Sequence, residues 1–446
     1  MPPNLEVTVR GIGAGGVGVG ILPDGKVVFL PRTAPGDRVL VRIVKDKSRW
    51  ARGEVLRWIE EGPGRRDPPC PRYAQCDGCS LQHLEYAEQL VWKGRLVGDA
   101  LRRLAGLEAE DPEVVPSSRE FRYRNKVTFT LRRLPGGRCV AGFRELTQPG
   151  RVLDLGSECL LPEEPLSELW GNLRTNWGPG AVHLPEGREL RLTLRVGQEG
   201  VGLLVRGGKG DGDPDSLMAG VHGLSSIWRE AKGGEIRHLA GDPTLHVLWA
   251  EEVVELHGGG FLQVNQGAGE ALHEYVLREA GDVQGKAVID AYCGAGVLGR
   301  TLARNGGIVV GIDIDPAGVL AAEKPTGDDF RIVKGYVEEE LDALLPADLA
   351  ILNPPRTGVA ERIPVLLNSQ ALEKVIYVSC DPATLARDLQ RLEEGYKVER
   401  IRSFDLFPQT VHIETVVTLR GLTAKRGYYR TMDPKGKSEK TLCDIS

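Results

Sequence analysis

Cys380 stands where the apolar run "VIYVS" stops and "DPATLARDL" begins. Asp381 or Ser379 is placed to cap a helix there, and Pro382 suits its first turn. A thiol at a helix N-terminus holds a larger thiolate fraction than a free cysteine, so this position reads as a nucleophile rather than a core filler. Neighbouring segments supply a setting for it. In "VIDAYCGAGVLGRTLA" (288–303) an apolar strand runs into Gly294, Gly296 and Gly299 and then into a helix, and Asp313 closes a second strand, "IVVGI". Such glycines permit close backbone approach and the carboxylate accepts ribose hydroxyls, so the unit should bind NAD or S-adenosylmethionine. "LAILNPPRTG" (349–358) ends a later strand, where two prolines stiffen the turn and hold the Asn353 amide toward a base or cofactor.

A second constellation is "CPRYAQCDGCS", which spaces Cys70, Cys76 and Cys79 as C-x5-C-x2-C on a Pro- and Gly-rich loop. In a reducing compartment this spacing argues for metal rather than disulfides. A fourth ligand is needed, and Cys159 and Cys139 are the candidates. Zinc and a [4Fe–4S] cluster both accept four thiolates, and a triplet with one distant cysteine leans toward iron–sulfur.

These residues need elements to position them. Residues 5–59 alternate in the manner of short strands, with "PDG" and "APGD" as turns, and predict a small closed barrel. The formal G-x-G-x-x-G inside "GIGAGGVGVG" precedes a hairpin rather than a helix and is no dinucleotide site. A helix is expected over 84–105, and "ELRLTLRVGQEGVGLLVRGG" (189–208) predicts a hairpin around Gly197–Gly200. From about residue 260 strands alternate with helices, which predicts a parallel, doubly wound sheet with an antiparallel last strand. The fold class is therefore α/β: an N-terminal barrel over 1–60, a strand-rich centre over 61–256, a Rossmann-like domain over 257–421 and a polar tail over 422–446.

Net charge is −5 over 446 residues, which excludes a nonspecific nucleic-acid coat. Locally the balance reverses, with nine cations between Arg42 and Arg72 against five carboxylates. The segment "SREFRYRNKVTFTLRR" (118–133) interleaves cations with Phe121, Tyr123 and Phe129, as an RNA face requires. Neither a secretory leader nor an apolar run of membrane-spanning length is evident, so a cytoplasmic monomer without a membrane partner is expected.

Taken together, "CPRYAQCDGCS" with distant Cys159, "FLQVN", "DAYCGAG", "NPPRTG", "SCDPATLARDL" and "DLFPQTVHIET" resemble the RNA uridine-5-methyltransferase family, in its branch with a TRAM domain and an iron–sulfur cluster. The resemblance implies an OB-like TRAM barrel, a [4Fe–4S] cluster on Cys70, Cys76, Cys79 and Cys159, and an S-adenosylmethionine pocket lined by Gln263, Tyr292, Gly294 and Asp313. It further implies Cys380 as nucleophile and Glu414 as base. The expected substrate is RNA, 23S ribosomal RNA first and transfer RNA second. Two positions depart from the family: Asn353 stands where Asp is usual, and Tyr336 where a small polar residue is common. Three rivals are weighed: an NAD-dependent iron–sulfur oxidoreductase, a noncatalytic RNA-binding protein and an exocyclic-nitrogen methyltransferase. The oxidoreductase gives Cys380, Glu414 and "NPPRTG" no roles.

Overall fold

The computed structural model describes residues 4–315, 318–319, 330–422, 430–432 and 438–440. The chain condenses into two compact units that are not contiguous in sequence. One is Met1–Arg102, Glu108–His273 and Ser403–Glu414; the other is Arg103–Leu107, Glu274–Arg402 and Thr415–Ser446. The expected tail lies mostly outside the described residues, which there include Leu422 and a short antiparallel pair, Arg430–Met432 with Ser438–Lys440.

The first unit opens with strands β1 (Leu5–Ile12), β2 (Gly18–Ile21), β3 (Val27–Leu30), β4 (Arg38–Asp46) and β5 (Trp50–Glu60). They close into a barrel in the order β1-β2-β3-β5-β4. Alternation places Val7, Val9, Val28, Leu30, Val39 and Val41 inside, each almost wholly buried. The glycine run after β1 makes a short 3-10 turn, Ala14–Gly16, between antiparallel strands, and no helix follows it. A helix at Tyr86–Leu104 meets the expectation from its periodicity.

After the two-residue strand β6 (Val114–Val115) comes a six-stranded sheet. Its strands are β7 (Lys126–Arg133), β8 (Cys139–Gly142), β9 (Glu189–Gly197), β10 (Gly200–Arg206), β11 (Leu224–Glu230) and β12 (Ile236–Gly241). The spatial order is β12-β11-β10-β9-β7-β8. One face packs Val127, Phe129, Leu192, Leu194, Leu203 and Val205 against the helix Glu164–Asn176. From that helix Trp170 stacks on Phe129 with ring centroids 4.0 Å apart. A hairpin, β13 (Leu245–Trp249) with β14 (Glu252–Leu256), follows.

In the second unit β15 (Ala287–Ala291), β16 (Ile308–Asp313), β17 (Phe330–Lys334), β18 (Leu349–Leu352) and β19 (Lys374–Ser379) run parallel. β20 (Tyr396–Phe404) and β21 (Glu414–Gly421) complete a sheet of order β17-β16-β15-β18-β19-β21-β20-β6. β21 is antiparallel to β19, with Ser379 opposite Thr415. Its central strands are buried on both faces and read as unbroken apolar runs, as helix-covered parallel sheets do. Among the described residues no helix is long and apolar enough to cross a membrane.

Candidate active site and cysteine pocket

In the second unit the expected residues gather at the carboxyl ends of neighbouring strands. β15 leads into Tyr292 and Gly294, β16 ends at Asp313, β18 precedes Asn353 and β19 precedes Cys380. Open α/β sheets bind their ligands along this edge. Tyr292 (φ 62°), Gly294 (φ 57°) and Gly296 (φ 69°) all take left-handed backbone, which folds the chain sharply into the helix Val297–Arg304. The turn is tied to the next strand: the Gly294 N–H donates to Asp313 Oδ2 and the Asp315 N–H to Asp313 Oδ1, both at 2.7 Å. A carboxylate has about four acceptor sites, so Asp313 keeps capacity for ribose hydroxyls. A side chain at residue 318 would put its Cβ 2.9 Å from the Gly294 carbonyl, so backbone packs directly on backbone there. These residues fit an adenosine-containing donor.

Asn353 is held by its own N–H, which donates to the Ala291 carbonyl at 3.2 Å. The loop after it is fastened by the fully buried Asp388. That carboxylate accepts from the Val359 N–H at 2.9 Å and from the Tyr377 hydroxyl at 2.7 Å. Cys380 is half-buried and in no disulfide. Of the two candidate caps, Asp381 takes the role, accepting from Ala383 N–H at 3.0 Å and Thr384 N–H at 2.9 Å. Ser379 instead braces the turn, its hydroxyl donating to the Asp381 carbonyl. The first amides of the helix are thus directed at the Asp381 carboxylate, which offsets part of the stabilisation a thiolate would draw from the helix. Glu414 begins β21 and is 4% exposed. The Ser379–Thr415 register leaves Cys380 one residue past the end of β19 and Glu414 at the start of its antiparallel neighbour.

Gln263 lies in the first unit, its carbonyl accepting from Asn125 Nδ2 at 3.3 Å. The four expected metal-binding cysteines lie in that unit too, and all of them line one pocket with Phe143 and Leu155. Cys139 is on β8 and does not line it. Donors are aimed at the sulfurs: Gly78 N–H reaches Cys76 Sγ at 3.3 Å, Leu161 N–H bonds Cys159, and the Gln82 side chain bonds Cys79. Burial pushes the Cys79 thiol up to about 12 and the Cys159 thiol up to about 11. A bound cation would reverse that preference. Arg32, stacked 3.7 Å from the Tyr73 ring centroid, donates to the Cys76 and Cys79 carbonyls. Among the described residues no three His, Cys, Asp or Glu side chains are close enough to hold one metal ion.

Residues 328–421 match the tRNA (Uracil-5-)-methyltransferase family, and residues 4–56 match the TRAM domain. An uncharacterized RNA methyltransferase of Halalkalibacterium halodurans is 30% identical over 448 residues, spanning 93% of this chain and 96% of its own. The chain belongs to the RNA uracil-5-methyltransferase family. An uncharacterized RNA methyltransferase of Gloeobacter violaceus is 33% identical over 450 residues, covering 93% of this chain and 96% of the relative. Among solved structures, the Pyrococcus abyssi tRNA (uracil-54, C5)-methyltransferase in complex with S-adenosyl-L-homocysteine superposes with TM-score 0.73 at 26% identity. That match covers 93% of this chain and 99% of the other. Family membership makes the protein an S-adenosylmethionine-dependent RNA methyltransferase with an RNA substrate.

The RNA-facing expectation needs revision in one of its two segments. In 118–133 the arginines are largely taken up internally. Arg122 donates to the Cys159 and Pro162 carbonyls, Arg132 pairs with Glu189, and Arg133 holds the carbonyls of 180–187. On the barrel, by contrast, Lys47, Arg49, Arg52 and Arg57 are exposed on or between β4 and β5, beside the half-exposed Trp58.

Sequence reasoning passed over three groups. Lys93 and Asp405 form an ion pair at 2.6 Å with both side chains fully buried. Gln409 (φ 70°) accepts from Ser80 and Leu81 N–H groups through its carbonyl and from Gln89 and Arg66 through Oε1, and its own N–H donates to Gln89 Oε1. The third is Asp290, whose Oδ2 is buried without a partner. Burial, with a smaller contribution from Asp313, pushes its carboxyl up to about 7, against the Gly299 N–H bond that lowers it. The folded state therefore keeps a proton that the unfolded chain loses from about pH 4. This contribution to stability is full below that pH and lost as pH rises through 7. Asp290→Asn should raise the thermal midpoint at pH 8 and leave it nearly unchanged at pH 4. An equal shift at both values in a melting series would refute the assignment.

Proposed function

We propose that the protein methylates C5 of a uridine in structured RNA, with Cys380 as nucleophile and Glu414 as base. The observation that carries this is the β19–β21 register, which puts Cys380 and Glu414 at the same end of two paired strands. C5 of uracil is a poor nucleophile. Addition of the Cys380 thiolate to C6 converts the C4–C5 unit into an enolate, nucleophilic at C5. S-adenosylmethionine, when bound, supplies an electrophilic methyl to that carbon. Glu414 then takes the C5 proton, the C6–sulfur bond breaks and the thiolate is restored. Gln263, Tyr292, Gly294, Asp313 and Asn353 would hold the donor. The target base must leave its stack, which favours an unpaired site.

Transcripts of transfer RNA and of 23S ribosomal RNA are the substrates to test, and the solved relative named for transfer RNA supports trying the former first. The deciding assay uses RNA labelled with tritium at uracil C5, because methylation at that carbon releases the label to water. Methyl incorporation without tritium release would move the reaction to another atom.

Cys70, Cys76, Cys79 and Cys159 are proposed to hold a [4Fe–4S] cluster. Support for this reading comes from the four thiols around one pocket, a donor set that a [4Fe–4S] cluster accepts. Purified anaerobically, the protein should be brown and carry about four irons per chain. Cys79→Ser should lose the colour, whereas Cys139→Ser should keep it. A colourless wild type with stoichiometric zinc would overturn the cluster.

A further inference from the structure

The face of the six-stranded sheet opposite its apolar core carries Lys126, Thr193, Arg195, Arg206 and Trp228. Arg195 sits in the middle of it, opposite Lys126 on β7 and opposite Gly202 on β10. It is 7% exposed, and both Nη1 and Nη2 are buried without a hydrogen-bond partner. An unpaired buried cation is strongly unfavourable, and buried charges in folded proteins are paired or bind a ligand. Desolvation, with no carboxylate to oppose it, pushes the Arg195 guanidinium down to about 10.

Arg195 lines a cavity of about 60 Å³, several times the space one water needs. Lys126, Arg206 and the backbone of Gly258–Gly260 line it with Arg195, and no Asp or Glu does. Arg206 is already engaged, pairing with Glu230 and donating to Thr193 Oγ1 at 3.3 Å. A neutral donor, Trp228 Nε1, is also buried without a partner. The space is maintained by glycines. A Cβ at Gly202 would lie 2.7 Å from the Trp228 ring, and one at Gly258 (φ 76°) 2.5 Å from it. Next in the chain after Gly260, Phe261 is half exposed, its ring centroid 5.9 Å from Lys126 Nζ.

We infer that this cavity binds a phosphate, and that its occupant is a phosphodiester of the RNA substrate seated on the Arg195 fork. A tetrahedral oxyanion presents paired oxygens that match the fork of a guanidinium. The assignment of RNA, rather than free phosphate, rests on the methyltransferase reading above.

The test uses the full chain carrying Arg195→Met, which keeps the side-chain volume and removes the fork. Binding of a labelled transcript, followed by anisotropy across a salt series, should weaken about tenfold, and the salt slope should drop by about one. The loss should be equal for the substrate transcript and a scrambled one, because a phosphate contact carries no sequence information. S-adenosylhomocysteine affinity should be unchanged. Inorganic phosphate should raise the melting temperature of the wild type and not of the variant, and the variant should melt no lower than the wild type in phosphate-free buffer. Arg195→Lys, which retains charge without the fork, should bind RNA at an intermediate level and serves if the Met variant does not fold.

Unchanged RNA affinity and salt slope would overturn the inference. So would a phosphate response confined to free phosphate, which would make this a small-anion site, or a variant that melts lower in phosphate-free buffer, which would make Arg195 a structural residue. Wild-type protein that binds RNA yet releases no C5 tritium would sink the methyltransferase reading alone, leaving Arg195 to be judged by binding.

Discussion

Cys380→Ala should abolish methyl transfer, by about 10⁴-fold or more, while RNA and S-adenosylhomocysteine still bind. In the proposed reaction the thiolate acts first and the carboxylate last, so the two variants should fail at different points. Without Sγ no bond to C6 forms, and no RNA should stay with the protein on a denaturing gel. Glu414→Gln retains the nucleophile, and an amide cannot accept the C5 proton. Addition and methylation should proceed and elimination should stall, leaving a methylated RNA–protein adduct that survives denaturation. Running both variants with and without S-adenosylmethionine separates the steps. Normal turnover by Cys380→Ala would return that residue to the core, and absence of an adduct with Glu414→Gln would place the base elsewhere.

Breaking the Lys93–Asp405 pair is expected to have the largest effect on stability. Lys93 Nζ donates to Asp405 Oδ1 and to the Phe407 carbonyl, and the Phe407 N–H donates to the same carboxylate oxygen. Burial lowers the lysine's pKa, and the Asp405 charge opposes that shift. Removing one partner of such a pair costs about 3–5 kcal/mol, because the survivor is left charged in a dry site. Lys93→Met should therefore unfold the first unit at markedly lower denaturant. The double variant Lys93→Met/Asp405→Leu should recover much of the loss, since no charge remains. Turnover should suffer beyond stability in both, because the segment from Asp405 carries Glu414. If Lys93→Met alone is as stable as the wild type in a denaturant titration, the pair contributes no net stability.

The barrel was legible because its turns are written in Pro and Gly and its strands alternate cleanly. So were the parallel strands that appear as unbroken apolar runs. β17 and β20 were not, since "FRIVK" and "YKVERIRSF" mix charges into partly exposed strands and so show neither an unbroken apolar run nor a clean alternation. The candidate site divided in the same way. Cys380, Gly294 and Asp313 could be read from local strand–turn–helix patterns, whereas Gln263 and Glu414 came only from the resemblance. Arg195 sits in "LRLTLRV", where alternation suggests a solvated polar face, and local sequence carries no sign that a hairpin and a glycine loop bury it. The arginines of 118–133 mislead for a related reason, because the carbonyls they hold are up to some fifty residues away.

The stretch Ser403–Glu414 leaves the parallel sheet, folds with the barrel-bearing unit and returns as β21. Its Gln409 and Val411 are bonded to Ser80 and Leu81, immediately after Cys79. The proposed nucleophile, Cys380, and the proposed base, Glu414, therefore fall in different compact units. A gene fragment ending at the sheet boundary would encode the strand that leads into Cys380 and an acid, Glu414, whose lead-in has lost its anchor. Domain shuffling, which builds many enzymes by exchanging one cassette, would here break the proposed reaction at its proton-removal step.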